Sequence, residues 1–586
     1  MKKTTLKIQI GMAICSLFIL SQAFSQGMLY EIPLNEQVQK SRQIIEGKVV
    51  SKKSFWDKEQ HNIYTVNTIE VYKVFKGNTI QILNVITVGG TVDLDMEVVE
   101  PSLQLSIGDI GLFMLNTDDI VLLGDNSSHP KYRTFADSQG FYKYDLYQGT
   151  ANNAFYKKVN VIETLYPEMI IQTDSNFDSI EDFDISDFVN RNMGGIVISS
   201  FTPTTVTAGT ATTITINGTG FGTSIGSVGF SDANDGGSSF YNCLSTQIIS
   251  WNDTQIVVEV PDRAGTGSIR VTNASTDSTT SGQALTVLYA ELNAEYDPGT
   301  GEEAYETQHI NRDGSGGYVW QMFTDFDANT AANDAFVRAL DTWRCETEIY
   351  WTVGAVTTTD EVANDNINIV RFDNGSELPG GVLGRCTSRW SGCGGATIKW
   401  YVEELDIVFN DGTNWNYTTD PPAFSEYDFE SVAVHELGHG HQLGHVIDPG
   451  AIMHYAISNG SFNRTLSAND IAGGNDVQSR STTSAVCGQS LMDNFDCATL
   501  TVDTFDLASQ YTIYPSPANH VLNIKGSLNS NLDSFIIYDI NGRVILSDKL
   551  DDVKINSIYV NALSNGVYFI KLKSKNGEFT KKFIKQ

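Results

Sequence analysis

The sequence predicts a multidomain protein in which one α+β domain is flanked by all-β modules. Three observations carry that reading. A chain of 586 residues is too long for a single hydrophobic core. Residues 27–190, 197–288 and 509–586 show apolar residues alternating at period two between turn-forming Gly, Asn and Ser. Residues 290–490 instead mix helical and strand periodicity around a dense histidine cluster.

The first 25 residues read as a signal peptide. Lys2, Lys3 and Lys7 form a charged start, an apolar run from Ile10 to Leu20 follows, and Ala23-Phe24-Ser25 offers small residues for cleavage before Gln26. That run is too short for a permanent membrane span, and no later stretch is long and apolar enough. The mature chain is therefore expected to have no transmembrane segment. Acidic residues outnumber basic ones by 70 to 38, a net charge of -32. Such a chain repels nucleic acid and anionic membrane surfaces, which excludes those partners. The plain use of this charge is solubility outside the cell. A calcium site at Asp325, Asp327 and Asp334 lacks the twelve-residue loop that would support it.

Once Cys15 leaves with the signal peptide, six cysteines remain, at 243, 345, 386, 393, 487 and 497. An even number in an exported chain suggests disulfides. The economical local pairs are Cys386 with Cys393 and Cys487 with Cys497; Cys243 with Cys345 would join two domains. None sits in a CxxC pattern, which argues against a cysteine zinc site.

Residues 27–190 form a β-rich N-terminal domain, with strand alternation over Ile44–Val50 and Tyr64–Phe75. It carries no catalytic cluster. The mature chain also has no cysteine before Cys243, so a cysteine-switch propeptide is excluded there. An inhibitory prodomain of another type and a simple binding module both remain open. The acidic segment from Asp174 to Asp187 reads as a linker. Residues 197–288 have the Thr, Ser and Gly content and regular short strands of a β-sandwich. Ile198-Ser-Ser-Phe-Thr-Pro203, Ala208-Gly209-Thr210 and Ile216-Asn-Gly-Thr-Gly-Phe-Gly222 resemble an immunoglobulin-like IPT/TIG domain. Ile256-Val-Val-Glu-Val-Pro261 and Gly267-Ser-Ile-Arg-Val-Thr272 fit its closing strands. That resemblance implies a spacer or adhesion module.

In residues 290–490, Phe336, Ala339, Leu340 and Trp343 fall at helical spacing behind Asn333 or Asp334 as a cap. Strands are expected at Ile367–Phe372 and Leu405–Phe409. A second helix starts at Asp428 as N-cap, with Glu430 at the positive end of the helix dipole. Residues 509–586 close the chain with a further β module. Tyr511-Thr-Ile-Tyr-Pro-Ser-Pro-Ala518, Val521-Leu-Asn-Ile524, Phe535-Ile-Ile-Tyr-Asp539 and Asn565-Gly-Val-Tyr-Phe-Ile-Lys571 resemble the C-terminal sorting domain of the type IX secretion system. The resemblance implies that machinery as a partner, with export through the periplasm and outer membrane to the cell surface or medium.

Of nine histidines, five lie between His435 and His454. His435 and His439 project from one face of a helix and can hold one Zn²⁺. Glu436 sits about 100° round that helix. There it can reach a zinc-bound water without being a ligand, take its proton, and return the proton to a leaving amine. A continued helix would carry His445 about 15 Å beyond His435. As third ligand it therefore requires the helix to end soon after His439, and Gly440 and Gly444 offer the break. His441 lies off the ligand face.

HExxH, a histidine six residues on, and then Met453 within Ala451-Ile-Met-His-Tyr455 resemble the metzincin metallopeptidases. The resemblance implies an α+β metzincin-like catalytic domain with Met453 in the Met-turn under the zinc. It also implies Tyr455 as the tyrosine that astacin-like members set beside the metal, where it acts as an extra ligand or oxyanion donor. Asp406-Ile-Val-Phe-Asn-Asp-Gly412, Trp415, Asp428 to His435 and Leu466-Ser-Ala-Asn-Asp-Ile471 resemble matrixin-like proteins. The Leu405–Phe409 strand could then be the sheet edge on which a peptide substrate lies, or a purely structural strand. One residue departs from the pattern: Gln442 stands where the family has Gly, and Gly440 or Gly444 could move the turn. The function so read is a secreted zinc endopeptidase acting on proteins or peptides. The alternative is a catalytically inactive surface adhesin that binds through the IPT/TIG and N-terminal domains.

Overall fold

The computed structural model describes residues 29–153, 155–157, 159–189, 195–375, 377–394, 397–497, 511–526, 532–550, 555–574 and 577–586. The expected signal peptide, residues 1–25, lies outside the described residues. The chain divides into two compact units, one ending at Phe495 and the other starting at Asp496.

Long alternating strands build the N-terminal module. Gln43–Trp56 pairs with Ile63–Lys76 on one side and Ile110–Thr117 on the other. Ile82–Val88 and Lys131–Thr134 complete the circuit between those two partners, so five strands close on themselves. Both stretches of alternation read from the sequence fall inside these strands. The acidic segment from Asp174 to Asp187 is not a linker. Asp178–Ser179 pairs with the Ile63–Lys76 strand, Phe183 stacks on Tyr72 at 4.6 Å, and Ile185 is buried. Apolar residues interleave with the acids and bind the segment to the module's core.

The IPT/TIG-like stretch forms two four-stranded sheets and one short parallel pair. Ile214, Ile216, Val228, Phe230, Ile256, Val258, Ile269 and Val271 alternate inward as a sandwich requires. Its core runs without a break through Ala290, Leu292 and Ala294 into that of the next domain. The module is thus packed into its neighbour and is not a detached spacer.

The following domain is built on a sheet in the order Trp351–Val353, Tyr318–Met322, Asn368–Phe372, Lys399–Phe409, Gly384–Cys393. The first four strands are parallel; Gly384–Cys393 runs antiparallel to Lys399–Phe409. Two helices, Thr330–Thr347 and Phe429–Gly440, pack together, and Trp343 Nε1 donates to Val434 O at 2.7 Å. The first begins earlier than Asn333 or Asp334 because the Asn329 side chain accepts from the Ala332 amide. Leu405–Phe409 is not a sheet edge: Asn368–Phe372 and Gly384–Cys393 flank it on either side. Its Asp406, with Glu404, lies buried against Arg389 Nη1 at 2.6 and 2.9 Å. The outer neighbour of Gly384–Cys393 comes from the N-terminal module: a hairpin of Gly90–Val92 and Asp95–Glu100 extends the sheet. Arg389 ties this joint as well, donating to Asn62 Oδ1 at 2.7 Å and facing Glu97 at 3.6 Å.

The C-terminal unit has its own core of Leu522, Ile537, Ile570, Leu572 and Phe583 between a three-stranded and a four-stranded sheet. The cysteines pair differently from the local scheme. Cys393 bonds Cys487 across 94 residues, which removes both Cys386–Cys393 and Cys487–Cys497. Cys386 and Cys243 are buried free thiols, so Cys243 does not bond Cys345. Cys345 and Cys497 each take part in a disulfide. Proximity in sequence misled here because Cys386 and Cys393 lie on one extended strand, seven positions apart.

Two outcomes test this packing. Alkylation of the denatured, unreduced protein should label Cys243 and Cys386, and Cys393→Ser should cost about 2–4 kcal/mol of stability in chemical denaturation, as loss of a long-loop crosslink does. Burial raises Glu97 to about 7, above its unfolded value, so its contribution is present at low pH and fades as pH rises through that value. The melting temperature of the parent should therefore fall more between pH 6 and pH 8 than that of Glu97→Gln.

Candidate metal centre and active site

Sequence places one helix at the centre of the site, and its first turn is well specified. Asp428 caps Phe429–Gly440 by accepting from the Ser431 amide at 2.9 Å, and the Arg464 guanidinium clamps the same carboxylate. Glu430 in that turn pairs with Arg338 at 2.7 Å. The helix is buried along its whole length, so its polar side chains need partners inside the protein.

The helix ends at the residue that departs from the family pattern. Leu443 N–H bonds Gly438 O at 3.0 Å and Gln442 N–H bonds His439 O at 2.8 Å, the two bonds of a Schellman stop. Gln442 occupies the left-handed position itself, with φ of 70°, so neither Gly440 nor Gly444 moves the turn. Its amide compensates: Nε2 donates to Gly440 O at 2.8 Å, satisfying a carbonyl the helix leaves open. The returning chain is pinned by Leu292 N–H to Gln442 O and Gly444 N–H to Ala290 O, each 2.9 Å.

This turn brings His445 back to the helix. His435 Nε2 lies 3.1 Å from His439 Nε2 and 3.2 Å from His445 Nε2. Each ring's other nitrogen faces an oxygen: His435 Nδ1 to Ile452 O at 2.8 Å, His439 Nδ1 to Leu443 O at 2.9 Å, His445 Nδ1 to Asn234 Oδ1 at 2.9 Å. Carbonyl oxygens only accept, so each Nδ1 carries the proton and each Nε2 presents a lone pair. Three lone pairs at this separation repel unless a cation sits between them. Tetrahedral zinc with bonds of 2.0–2.1 Å needs nitrogens about 3.3–3.4 Å apart, so the donor set fits the ion. Burial, with the neighbouring histidines, holds His435 and His445 well below the usual imidazole range and His439 at about 4, so all three stay neutral. Among the described residues this is the one group of three or more side chains that could share a metal. Asp325, Asp327 and Asp334 do not form one; Asp327 accepts from Asn333 Nδ2 at 2.7 Å.

Glu436 is fully buried, and among the described residues neither carboxylate oxygen has a partner at full hydrogen-bond geometry. Burial, then the charge of Glu100, push its carboxyl well above the ordinary range, against Arg385 and the Cys386 amide. It lies beside Gly384, where a Cβ would sit 3.0 Å from Glu436 Cγ. Met453 is buried beneath the helix, and a Cβ at Gly438 would collide with its sulfur. His441 points elsewhere, its Nε2 2.9 Å from Thr347 Oγ1. The Tyr455 hydroxyl meets Lys157 Nζ at 3.3 Å and its ring abuts Gly236, which leaves its place beside a metal as a proposal.

Two residues of the site escaped the sequence reading. Asp470 holds the Met-turn, accepting from the Ile452 amide at 2.8 Å and the Met453 amide at 3.2 Å. Its signal was the capping box it forms with Ser467. Asn234 comes from a turn of the β-sandwich, 211 residues before the histidine it orients; no local pattern marks it.

Comparison with known proteins agrees with this layout. Residues 319–477 match the matrixin family, residues 197–287 the IPT/TIG domain, and residues 512–586 the secretion system C-terminal sorting domain. Over 144 residues the chain is 32% identical to Metalloendoproteinase 1 of Glycine max, a stretch that is 24% of this chain and 43% of that protein. The chain thus spans less than half the length of that curated relative. A biofilm-associated protein BSP domain aligns over 92% of this chain and 80% of its own at 9% identity, with a TM-score of 0.13 that establishes no common fold.

The helix stop gives an ordering of variants. Gln442→Ala keeps the left-handed backbone and loses the amide bond, whereas Gln442→Gly loses the bond but relieves the backbone. Alanine should therefore be the less stable of the two by about 1 kcal/mol in urea unfolding, and the parent should exceed alanine by about 1 kcal/mol for the amide bond; an alanine variant as stable as the parent would refute the compensation.

Proposed function

We propose that this chain, which carries a matrixin domain between an IPT/TIG module and a C-terminal sorting domain, is an exported zinc endopeptidase. The observation that carries the reading is the convergence of three tautomer-locked imidazoles beside a buried carboxylate that makes no fully formed hydrogen bond among the described residues. Glu436 makes no fully formed hydrogen bond among the described residues, and a buried acid so placed costs free energy that a catalytic role explains.

His435, His439 and His445 are the proposed zinc ligands. Zinc held there supplies a Lewis acid that acidifies water and polarises the scissile carbonyl. Glu436 takes a proton from the attacking water at its carboxylate and delivers it to the leaving amine. Ile452 O, Leu443 O and Asn234 Oδ1 hold the three rings in place through Nδ1. Met453 packs buried against the helix at Gly438, and Tyr455 is a proposed oxyanion donor once its hydroxyl is turned from Lys157. The sorting domain supports delivery to the cell surface or medium by the type IX machinery, with proteins or peptides as substrates.

The test separates zinc from chemistry. One zinc per chain is expected, with peptide cleavage abolished by chelation, and Glu436→Gln should keep the metal while losing cleavage by about a thousandfold or more. Asn234→Ala should weaken zinc about 10–100-fold in competition with a chromophoric chelator, and Asn234→Asp should restore it. A zinc-loaded chain that cleaves nothing in a diverse peptide library after its N-terminal module is released would favour the adhesin reading instead.

A further inference from the structure

A strand edge that borders Glu436 is already filled by the chain itself. Gly384–Cys393 lies with Gly384 against Glu436, and its inner side pairs with Lys399–Phe409. An extended peptide cleaved here needs its carbonyl beside both Glu436 and the histidines. Adding its backbone to the outer side of this strand would place it so. That outer side is taken: Cys386, Thr387, Ser388, Arg389, Trp390 and Ser391 face Glu100, Val99, Val98, Glu97, Met96 and Asp95 in antiparallel register.

We propose that the N-terminal module keeps the peptidase latent by laying its Asp95–Glu100 strand along this edge as an intramolecular stand-in for substrate. This rests on the peptidase reading of the histidine site.

The occupant is latched at its catalytic end. Glu100, opposite Cys386, is buried. Just past it, Arg385 Nε donates to Pro101 O at 3.1 Å, and its guanidinium reaches Asp137 of the same module at 2.5 Å. Along the strand Arg389 faces Glu97, and beyond the edge Lys157 of the module meets the Tyr455 hydroxyl. Leu29, at the start of the described chain, bridges Val382 just before the edge strand. A segment tethered in the same chain competes at an effective concentration on the order of millimolar, which disfavours any dilute peptide. No cysteine is needed, and the module has none. The block is made of backbone hydrogen bonds and ion pairs, so it is released by cutting or withdrawing the strand.

The experiment uses the full mature chain and a fluorogenic peptide library. Val98→Pro removes a donor in the middle of the six-residue pairing, and should raise kcat/KM about tenfold or more at unchanged zinc content. Limited trypsin digestion of the parent is the second arm. No Lys or Arg lies between Lys76 and Lys131, so activity should rise in step with release of the 77–131 peptide that carries the strand, followed by mass spectrometry. An intact parent that cleaves as fast as Val98→Pro, or one that only loses activity on digestion, overturns latency while leaving the peptidase reading standing. Zinc-loaded parent, variant and digest that all cleave nothing overturn both.

Discussion

A helix that ran on past Gly440 would carry His445 about 15 Å from His435 and leave two imidazoles with no third. Stopping it is the constraint on which the site depends. Gln442 performs the stop in the left-handed region, where a side chain is unwelcome, and offsets that cost with its own amide on Gly440 O. The consequences run outward. His445 returns to the helix, Gly444 and Leu292 stitch the returning chain to the strand leaving the β-sandwich, and Val446 pairs with the Met-turn through Met453 O and the Tyr455 amide. Buried glycine at 438 then lets Met453 close against the helix.

The second theme is that modules read as accessories complete the centre. The sandwich lends Asn234 to His445, and the N-terminal module lends a strand to the sheet. Both arrangements depend on continuous packing and not on flexible joints: the sandwich and catalytic cores share one apolar cluster. The N-terminal joint is more polar. Arg389 sits buried among Glu97, Glu404, Asp406 and Asn62. Buried ion pairs give little net stability because desolvation opposes the attraction, yet an unpaired charge there is costly. The cluster therefore favours this one register over others, which suits a strand that must lie in a set place and yet be removable.

Much of this was legible from local chemistry. The cap at Asp428, the helix face of His435 and His439 and the neighbouring Glu436 follow from helix geometry, which depends only on residues a few positions apart. The alternating strands of both β modules were legible for the same reason. What failed failed at range. The linker at 174–187 was read from its acids and not from Phe177, Phe183 and Ile185 between them. The cysteine pairs were assigned by nearness, although an extended strand separates Cys386 from Cys393 and the fold brings Cys487 to the latter. Leu405–Phe409 reads from its sequence either as an edge or as a structural strand, and the fold makes it the second, because an edge and a centre strand differ in what lies beside them and not in their own residues.

The sequence by itself determined that His435 and His439 share one helix face, because spacing along a helix sets which side chains do, and that His445 could join them only if the helix stopped. It also specified the chain's modules, whose motifs are local. Only the tertiary structure decided that Gln442 itself makes the turn, that Asn234 orients the third histidine, and that a strand from the N-terminal module lies on the edge beside Glu436. Each of those is a contact between segments far apart in the chain. Such contacts are selected by the packing of whole surfaces, and no short pattern encodes them.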